Sequence, residues 1–170
     1  LTADGTRLHQ HTFGGLVHVD YNDAGASSYE EYLRAALALG LPPAAIEEGF
    51  RRMVFNVVAV NQDDHVKNLS FQMGPDGAWR LTPAYDVTFA HGEGFTRRHQ
   101  MRVADKRSGI TRADLIAVGE TFGVKQPGKV IARVEAVVGE WPTYAKEAAV
   151  QAEARKHVAG ELARRRKEMG

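Results

Sequence analysis

The stretch 53–60 is apolar on nearly every side and runs straight into a polar cluster. Apolar side chains recur at helical spacing from about residue 43 to residue 60, and Asn56 is the one polar exception within 53–60. A helix of this kind is usually buried. The next residues, 61–68, read Asn-Gln-Asp-Asp-His-Val-Lys-Asn. Polar groups beside a core are costly to bury without partners, so we expect an ordered loop held by rigid elements.

A β-hairpin is predicted directly after the polar cluster. Apolar residues alternate with polar ones over 69–73, Gly-Pro-Asp-Gly at 74–77 is a strong turn signal, and alternation resumes over 79–81. The return strand leads to a second isolated acid, Asp86. The hairpin therefore brings Asp86 back beside the polar cluster.

The rest of the chain is predicted to be mostly helical. Residues 1–25 are rich in Gly, His and Thr and are expected to be mostly loop, with room for one short helix. The predicted helices are 29–39 after a cap at Ser27 or Ser28, 112–122 after Thr111, 127–138, and one long helix over 143–169. The fold class is therefore mainly α with one small β-hairpin, and 170 residues suit one domain of roughly 150 residues.

Composition excludes several classes of protein. The chain has no cysteine, which excludes disulfide scaffolds, cysteine-ligated zinc and thiol catalysis. The net charge of +1 implies no general attraction to nucleic acid or to membranes. No apolar run approaches the roughly 18 residues that a membrane span needs. Absence of cysteine fits a reducing compartment, so we expect a cytoplasmic protein with no membrane partner.

The order of three polar residues suggests phosphoryl transfer. Asp63 and Asn68 are five residues apart, and Asp86 follows the hairpin. In protein kinases, an Asp accepts the substrate hydroxyl proton, an Asn five residues later holds Mg²⁺, and a later Asp joins metal to phosphate. Hard oxygen ligands of this kind suit Mg²⁺. The alternative is that these side chains only cap turns of the loop, as Asp and Asn often do.

The longer string around these residues resembles the C-terminal lobe of HipA-type serine/threonine kinases, the toxins of bacterial type II toxin–antitoxin pairs. The family pattern is N-x-D-x-H-x-K-N-x-S, then a strand, then W/Y-x-L-x-P-x-Y-D. The chain has matching residues at Asn61, Asp63, His65, Lys67, Asn68, Ser70, Trp79, Leu81, Pro83, Tyr85 and Asp86. The resemblance covers most of the chain and is strongest over 55–87. It implies a helical, kinase-like C-lobe over 1–170 in which the hairpin carries the catalytic and metal-binding loops.

The resemblance also implies roles for individual residues, with ATP and Mg²⁺ as cofactors. Asp63 would be the catalytic base. Asn68 and Asp86 would bind Mg²⁺ and, with it, ATP. His65 would touch a phosphate or brace the loop, and Lys67 would contact a phosphate or a neighbouring acid. Tyr85 would line the nucleotide site.

The first lobe of such a kinase has no counterpart in the sequence. The chain contains no G-x-G-x-x-G loop, and we expect a piece of a longer kinase, or half of a split one, whose N-terminal lobe is supplied in cis or in trans. The absence of Met at Leu1 fits this expectation. The family resemblance implies two further partners, a protein substrate in translation such as an aminoacyl-tRNA synthetase, and a DNA-binding antitoxin.

Two other functions remain open. Small-molecule and lipid kinases share the order of Asp, Asn and second Asp, although the ending Pro-x-Tyr-Asp at 83–86 favours the HipA type. A non-catalytic pseudokinase or interaction domain would explain the missing lobe.

Other polar residues have simpler interpretations. We expect Asp64 to form a loop-stabilising ion pair, for which an arginine is the suggested partner. The basic run 164–167 suits the C-terminal end of a helix better than a nucleic-acid site. Surface or loop positions are expected for five histidines: His9, His11, His18, His91 and His99.

Overall fold

A computed structural model of the chain describes Gly5 and residues 7–170. About half of these residues are helical, and a small antiparallel sheet accompanies the helices. The predicted loop over 1–25 begins with residues that lie outside the described part.

The sheet has three strands, because the predicted hairpin gains a partner from the N-terminal region. Its strands are β1 (His9–Thr12), β2 (Ser70–Met73) and β3 (Trp79–Leu81), in the order β1-β2-β3. The hairpin β2–β3 is confirmed, with Phe71 opposite Leu81. Within 1–25 the described residues are mostly loop and include one short helix, as expected, but the strand β1 was not predicted. Strand β1 has no apolar alternation, and it is a strand because it pairs with β2, Thr12 opposite Ser70.

Helix α1 (Phe13–Val17) follows β1 and is capped by the Thr12 side chain, which accepts from the backbone N–H of Gly15. Helix α2 (Tyr29–Ala38) begins at the predicted cap, Ser28. The Ser28 hydroxyl accepts from the Glu31 backbone and the Glu31 carboxylate accepts from the Ser28 backbone. This reciprocal capping box satisfies two backbone donors that the helix itself leaves unpaired.

Helix α3 (Pro43–Val58) is the central element, and it contacts α2, β3 and three later helices. Those helices are α4 (Arg112–Thr121), α5 (Pro127–Gly139) and α7 (Ala152–Met169). Nearly the whole of its second half is buried, as its apolar sequence predicts. The predicted cap of α4 at Thr111 is confirmed and forms a second capping box with Asp114. Helix α3 therefore holds the polar cluster at its C-terminal end on a rigid support.

The prediction of one long helix over 143–169 was wrong. The structure has two helices there, α6 (Trp141–Glu147) and α7. Ala149 has a φ of +53° between them, so the helix ends there. The backbone N–H of Val150 donates back to the Ala145 carbonyl and closes the end of α6. An alanine-rich sequence gives no local signal for this break. The turn lets α7 fold back, and the Trp141 indole donates to the Arg155 carbonyl.

The basic run at the end of α7 contains one buried side chain. Arg165 is 7% exposed and donates to the carbonyls of Val57 in α3 and Ile110 before α4. Burial lowers the pKa of Arg165, and Glu168 partly offsets this effect. Arg165 therefore joins α7 to α3, a role beyond the helix-end interaction predicted for this run.

A search of the described residues for a helix both long and apolar enough to cross a membrane finds none.

Gly119 tests the packing between α4, α5 and α3. A Cβ at this position would stand 2.5 Å from the Pro127 Cβ and 3.0 Å from two ring atoms of Phe50. We expect Gly119→Ala to lower the free energy of unfolding by about 1–3 kcal/mol, the usual cost of overpacking. Urea unfolding measures it.

Gly160→Ala is the matched control for this substitution. Gly160 lies inside α7, with no atom within 4 Å of an added Cβ. We expect a gain in stability of about 0.5–1 kcal/mol, since alanine is the better helix former. Equal unfolding free energies for the two variants would contradict this account of the packing.

Candidate active site

The polar cluster begins with a sharp reversal of the chain after α3. Val60 has a φ of +57°, which is unusual for a β-branched residue, and the N–H of Asn61 donates to the Asn56 carbonyl. Asn61 then forms a parallel bridge with Ala90. The N–H of Gln62 donates to the Ala90 carbonyl and the N–H of Ala90 donates to the Val60 carbonyl. The start of the loop is thus held to the segment beyond the hairpin.

Asp64 is the buried centre of the loop. Its carboxylate is 1% exposed and accepts from the Tyr29 hydroxyl at 2.9 Å and from the Gln100 backbone N–H at 2.7 Å. His99 Nδ1 lies 2.9 Å from the same carboxylate. The suggested partner was an arginine, and the structure places His99 there instead. His99 lies in a loop, as expected, but it is buried, because residues 99 and 100 fold onto the polar cluster from 35 and 36 positions along the chain.

Asn68 closes the loop onto Asp63. Its Nδ2 donates to the Asp63 carbonyl at 2.9 Å, and its backbone N–H donates to the His65 carbonyl. Among the described residues, no group donates to the Asp63 carboxylate, and the Asp63 side chain is half-buried. The spacing of five residues therefore brings Asp63 and Asn68 together, as the sequence predicts, and leaves the Asp63 carboxylate free to act on another molecule.

The hairpin brings Tyr85 and Asp86 beside the same loop. The Tyr85 hydroxyl donates to the Lys67 carbonyl and also shares a hydrogen bond with Ser70 Oγ. The carbonyl of Asp86 accepts from Asn61 Nδ2 at 3.3 Å. Asp86 has a φ of +53°, a conformation that costs a residue with a Cβ about 1–2 kcal/mol. Asp86 thus combines an unfavourable backbone conformation with an exposed carboxylate.

A cavity of about 290 Å³ adjoins these residues. Asn68, Tyr85 and Asp86 line it together with residues of α3 and α5 such as Phe55 and Val137. Both predicted metal ligands, Asn68 and Asp86, therefore face one space. Residues of α5 could not be assigned to the site from sequence, because only the packing of α5 against α3 brings them there.

His65 and Lys67 make a separate contact that involves Tyr21. The Lys67 ammonium lies 3.3 Å from the centroid of the Tyr21 ring, a cation–π contact. The same ring meets His65 edge to face at a centroid distance of 5.7 Å. His65 Nδ1 is buried and has no hydrogen-bond partner among the described residues. Tyr21 was missed by sequence reasoning, because its loop has no pattern that points to the cluster.

The donor atoms fit a divalent cation bound together with phosphate. In the described part of the chain, no group of three or more His, Asp or Glu side chains could hold a metal ion. The Asn68 Nδ2 is engaged by Asp63, so its Oδ1 is the atom available as a ligand. Asp86 adds a carboxylate to which no described group donates. Two such oxygen ligands suit Mg²⁺, which takes its remaining ligands from phosphates and water.

Comparison with known proteins gives one family and one fold. Residues 2–165 match the family model described as HipA-like C-terminal domain. No curated protein matches the chain. Among solved structures, it is similar to a chain in the complex of the toxin–antitoxin system HipA and HipB of Shewanella oneidensis MR-1 with its operator DNA. The TM-score is 0.71 at 19% identity, which shows the fold alone. The match covers 96% of this chain and 42% of that one.

Asp64 supplies a test of how the loop is held. We expect Asp64→Ala to destabilise the chain by about 3 kcal/mol or more, because it leaves buried donors of Tyr29 and Gln100 without an acceptor. Urea unfolding measures the loss, and limited proteolysis shows whether residues 61–68 become accessible.

Asp76→Ala is the matched control for Asp64→Ala. Asp76 is exposed in the hairpin turn, where, among the described residues, it accepts only from the Ala78 N–H and pairs with Arg80 at 3.8 Å. We expect a change of about 0.5–1 kcal/mol. If the two substitutions lower the free energy of unfolding by the same amount, Asp64 does not hold the loop.

Proposed function

Because the chain belongs to the family of HipA-like C-terminal domains, we propose that it supplies the catalytic loop and metal ligands of an ATP- and Mg²⁺-dependent serine/threonine protein kinase. The observation that carries the proposal is the closure of Asn68 onto Asp63, with Asn68 and Asp86 facing one cavity. Loop capping alone would engage the side chains of Asp63 and Asp86 within the protein, whereas no described group donates to either carboxylate.

Each of the chain's own residues then has a defined task. The Asp63 carboxylate orients the hydroxyl of a serine or threonine and accepts its proton as the oxygen attacks the γ-phosphorus of ATP and the bond from that phosphorus to the leaving ADP breaks. Asn68 Oδ1 and the Asp86 carboxylate hold Mg²⁺. When bound, Mg²⁺ neutralises the charge that develops on the phosphate oxygens. The Tyr85 hydroxyl donates to the Lys67 carbonyl and so joins the Asp86 segment to the loop. This bond keeps the carboxylate of Asp86 and the amide of Asn68 in fixed relative positions.

His65 and Lys67 have a different task in this proposal. The Tyr21 ring lies against both side chains, and Lys67 is exposed. A positive charge beside the Asp63 loop suits contact with a phosphate group. Tyr21 holds the ammonium until that contact forms.

The remaining parts of the kinase lie outside this chain. The chain spans less than half of the length of the solved chain that it matches. We propose that the rest of the gene product, or a separate protein, supplies the N-terminal lobe that grips the nucleotide from the other side. The solved relative is in a complex with HipB and operator DNA. By this likeness we propose a DNA-binding antitoxin as partner. From the family resemblance of the sequence we propose a protein of translation, such as an aminoacyl-tRNA synthetase, as substrate.

Two substitutions test the catalytic roles in the full gene product. We expect Asp63→Ala and Asp86→Ala each to reduce transfer of labelled γ-phosphate from ATP to protein by about 10²–10⁴-fold, since one removes the base and the other a metal ligand. Serine and threonine phosphorylation in an extract of the host cells is the measurement. Asp76→Ala, in the exposed hairpin turn, is the control and should retain wild-type transfer.

The other candidate functions give different results in the same experiment. Labelling of a lipid or an aminoglycoside but of no protein would identify a small-molecule or lipid kinase. Absence of Mg²⁺-dependent nucleotide binding by the full gene product would identify a pseudokinase. Full protein phosphorylation by either aspartate variant would refute the assigned roles.

A further inference from the structure

Apart from the Tyr85 hydroxyl, which bonds to Lys67 and Ser70, the segment that carries Asp86 has few hydrogen bonds to the rest of the described chain. The backbone N–H groups of Thr82 and Ala90 donate to the carbonyls of Ser70 and Val60 and hold the two ends of this segment. Between them, the main chain of residues 83–89 accepts one hydrogen bond from other described residues. The donor is Asn61 Nδ2, and the acceptor is the Asp86 carbonyl. This is the residue whose left-handed conformation a Cβ disfavours. Asn61 is therefore the group best placed to maintain it.

Asn61 is itself oriented by a buried hydrogen-bond chain that starts at Asp64. The Tyr29 hydroxyl donates to the Asp64 carboxylate, so its oxygen is free to accept from Asn56 Nδ2 at 2.8 Å. Asn56 Oδ1 then faces Asn61 and accepts from Asn61 Nδ2 at 3.0 Å. We call these four side chains, Asp64, Tyr29, Asn56 and Asn61, the buried chain.

The direction of the buried chain follows from the carboxylate at its start. A carboxylate only accepts, so the Tyr29 hydroxyl must donate to it and each amide must donate toward Asp64. Burial raises the pKa of Tyr29 well above its ordinary value, and the Asp64 charge raises it further, so the hydroxyl keeps its proton. The amide nitrogen of Asn61 consequently faces two oxygens, those of Asn56 and Asp86. The opposite amide orientation would set oxygen against oxygen.

We propose that Asn61 is a positioning residue that holds Asp86 in its metal-binding orientation, and that the buried chain from Asp64 fixes the Asn61 amide for this purpose. Asn61 is 2% exposed and lines the same cavity as Asn68 and Asp86. It acts through the backbone of Asp86. The inference rests on the proposed function, since it takes Asp86 as a Mg²⁺ ligand. It also links the two ends of the site, because Asp64 follows directly after Asp63.

The test compares nucleotide binding with and without metal in the full gene product. Calorimetry gives the Kd of a non-hydrolysable ATP analogue in EDTA and in Mg²⁺, and the ratio is the gain due to metal. We expect Asn61→Ala to reduce this gain by about 10–100-fold, as is usual when a group that orients a metal ligand is removed. The Kd in EDTA should not change, whereas a collapsed site would weaken both.

Tyr29→Phe breaks the buried chain without touching Asn61 or Asp86, and Tyr32→Phe is its matched control. Both tyrosines are fully buried on α2, and the Tyr32 hydroxyl has no partner among the described residues. We expect Tyr29→Phe to reduce the gain due to Mg²⁺ in the same direction as Asn61→Ala. Tyr32→Phe should leave it unchanged.

A structural readout independent of nucleotide accompanies the calorimetry. The ¹³C carbonyl shift of Asp86, measured by NMR on selectively labelled protein, reports the hydrogen bond from Asn61. We expect this shift to change in Asn61→Ala and Tyr29→Phe and to stay in Tyr32→Phe. An unchanged shift in Asn61→Ala would overturn the proposal, as would a full metal gain in that variant.

Asp86→Ala separates failure of this inference from failure of the proposed function. Loss of the metal gain in Asp86→Ala with full retention in Asn61→Ala would refute only the positioning role. Full retention in Asp86→Ala would refute the metal site itself and, with it, the role of Asn61.

Discussion

One buried carboxylate holds the candidate site together. Asp64 accepts hydrogen bonds from α2 through Tyr29 and from the later loop through Gln100, and it lies against His99. A charge in this position would be very costly without such partners, and with them it joins three distant parts of the chain at one point. The backbone of the neighbouring residue, Asp63, is held in place by these contacts, and no described group donates to the Asp63 carboxylate. In the proposed function, Asp64 would thus supply stability and its neighbour Asp63 the chemistry.

Much of the fold could be predicted because its signals are local. The caps at Ser28 and Thr111, the apolar face of α3 and the turn of the hairpin all lie within a few residues of what they determine. Pairing over long distances left no such signal. Residues 9–12 form a strand because they pair with β2, which is about 60 residues away in the sequence. The break after α6 accompanies the packing of α7 against α6. Tertiary contacts decide both features, and local propensity does not.

The candidate site divides in the same way. The spacing of Asp63 and Asn68 predicted that they meet, and the hairpin predicted the return of Asp86. The partner of Asp64, the contact of Tyr21 with Lys67, and the contribution of α5 to the cavity were beyond sequence reasoning. Each of these depends on a surface formed only when separate elements pack. In the proposed function, the first set of residues carries the chemistry and the second set holds those residues in place.

The contact between Arg165 and α3 has a consequence for biosynthesis. A ribosome makes the chain from its N-terminus, so α3 and the polar cluster emerge long before residue 165. Until Arg165 arrives, the buried carbonyls of Val57 and Ile110 lack the guanidinium that satisfies them in the folded chain. The support beneath the candidate site is therefore completed only after residue 165 has been made. A nascent chain shorter than this carries every residue of the loop without the full framework that holds it.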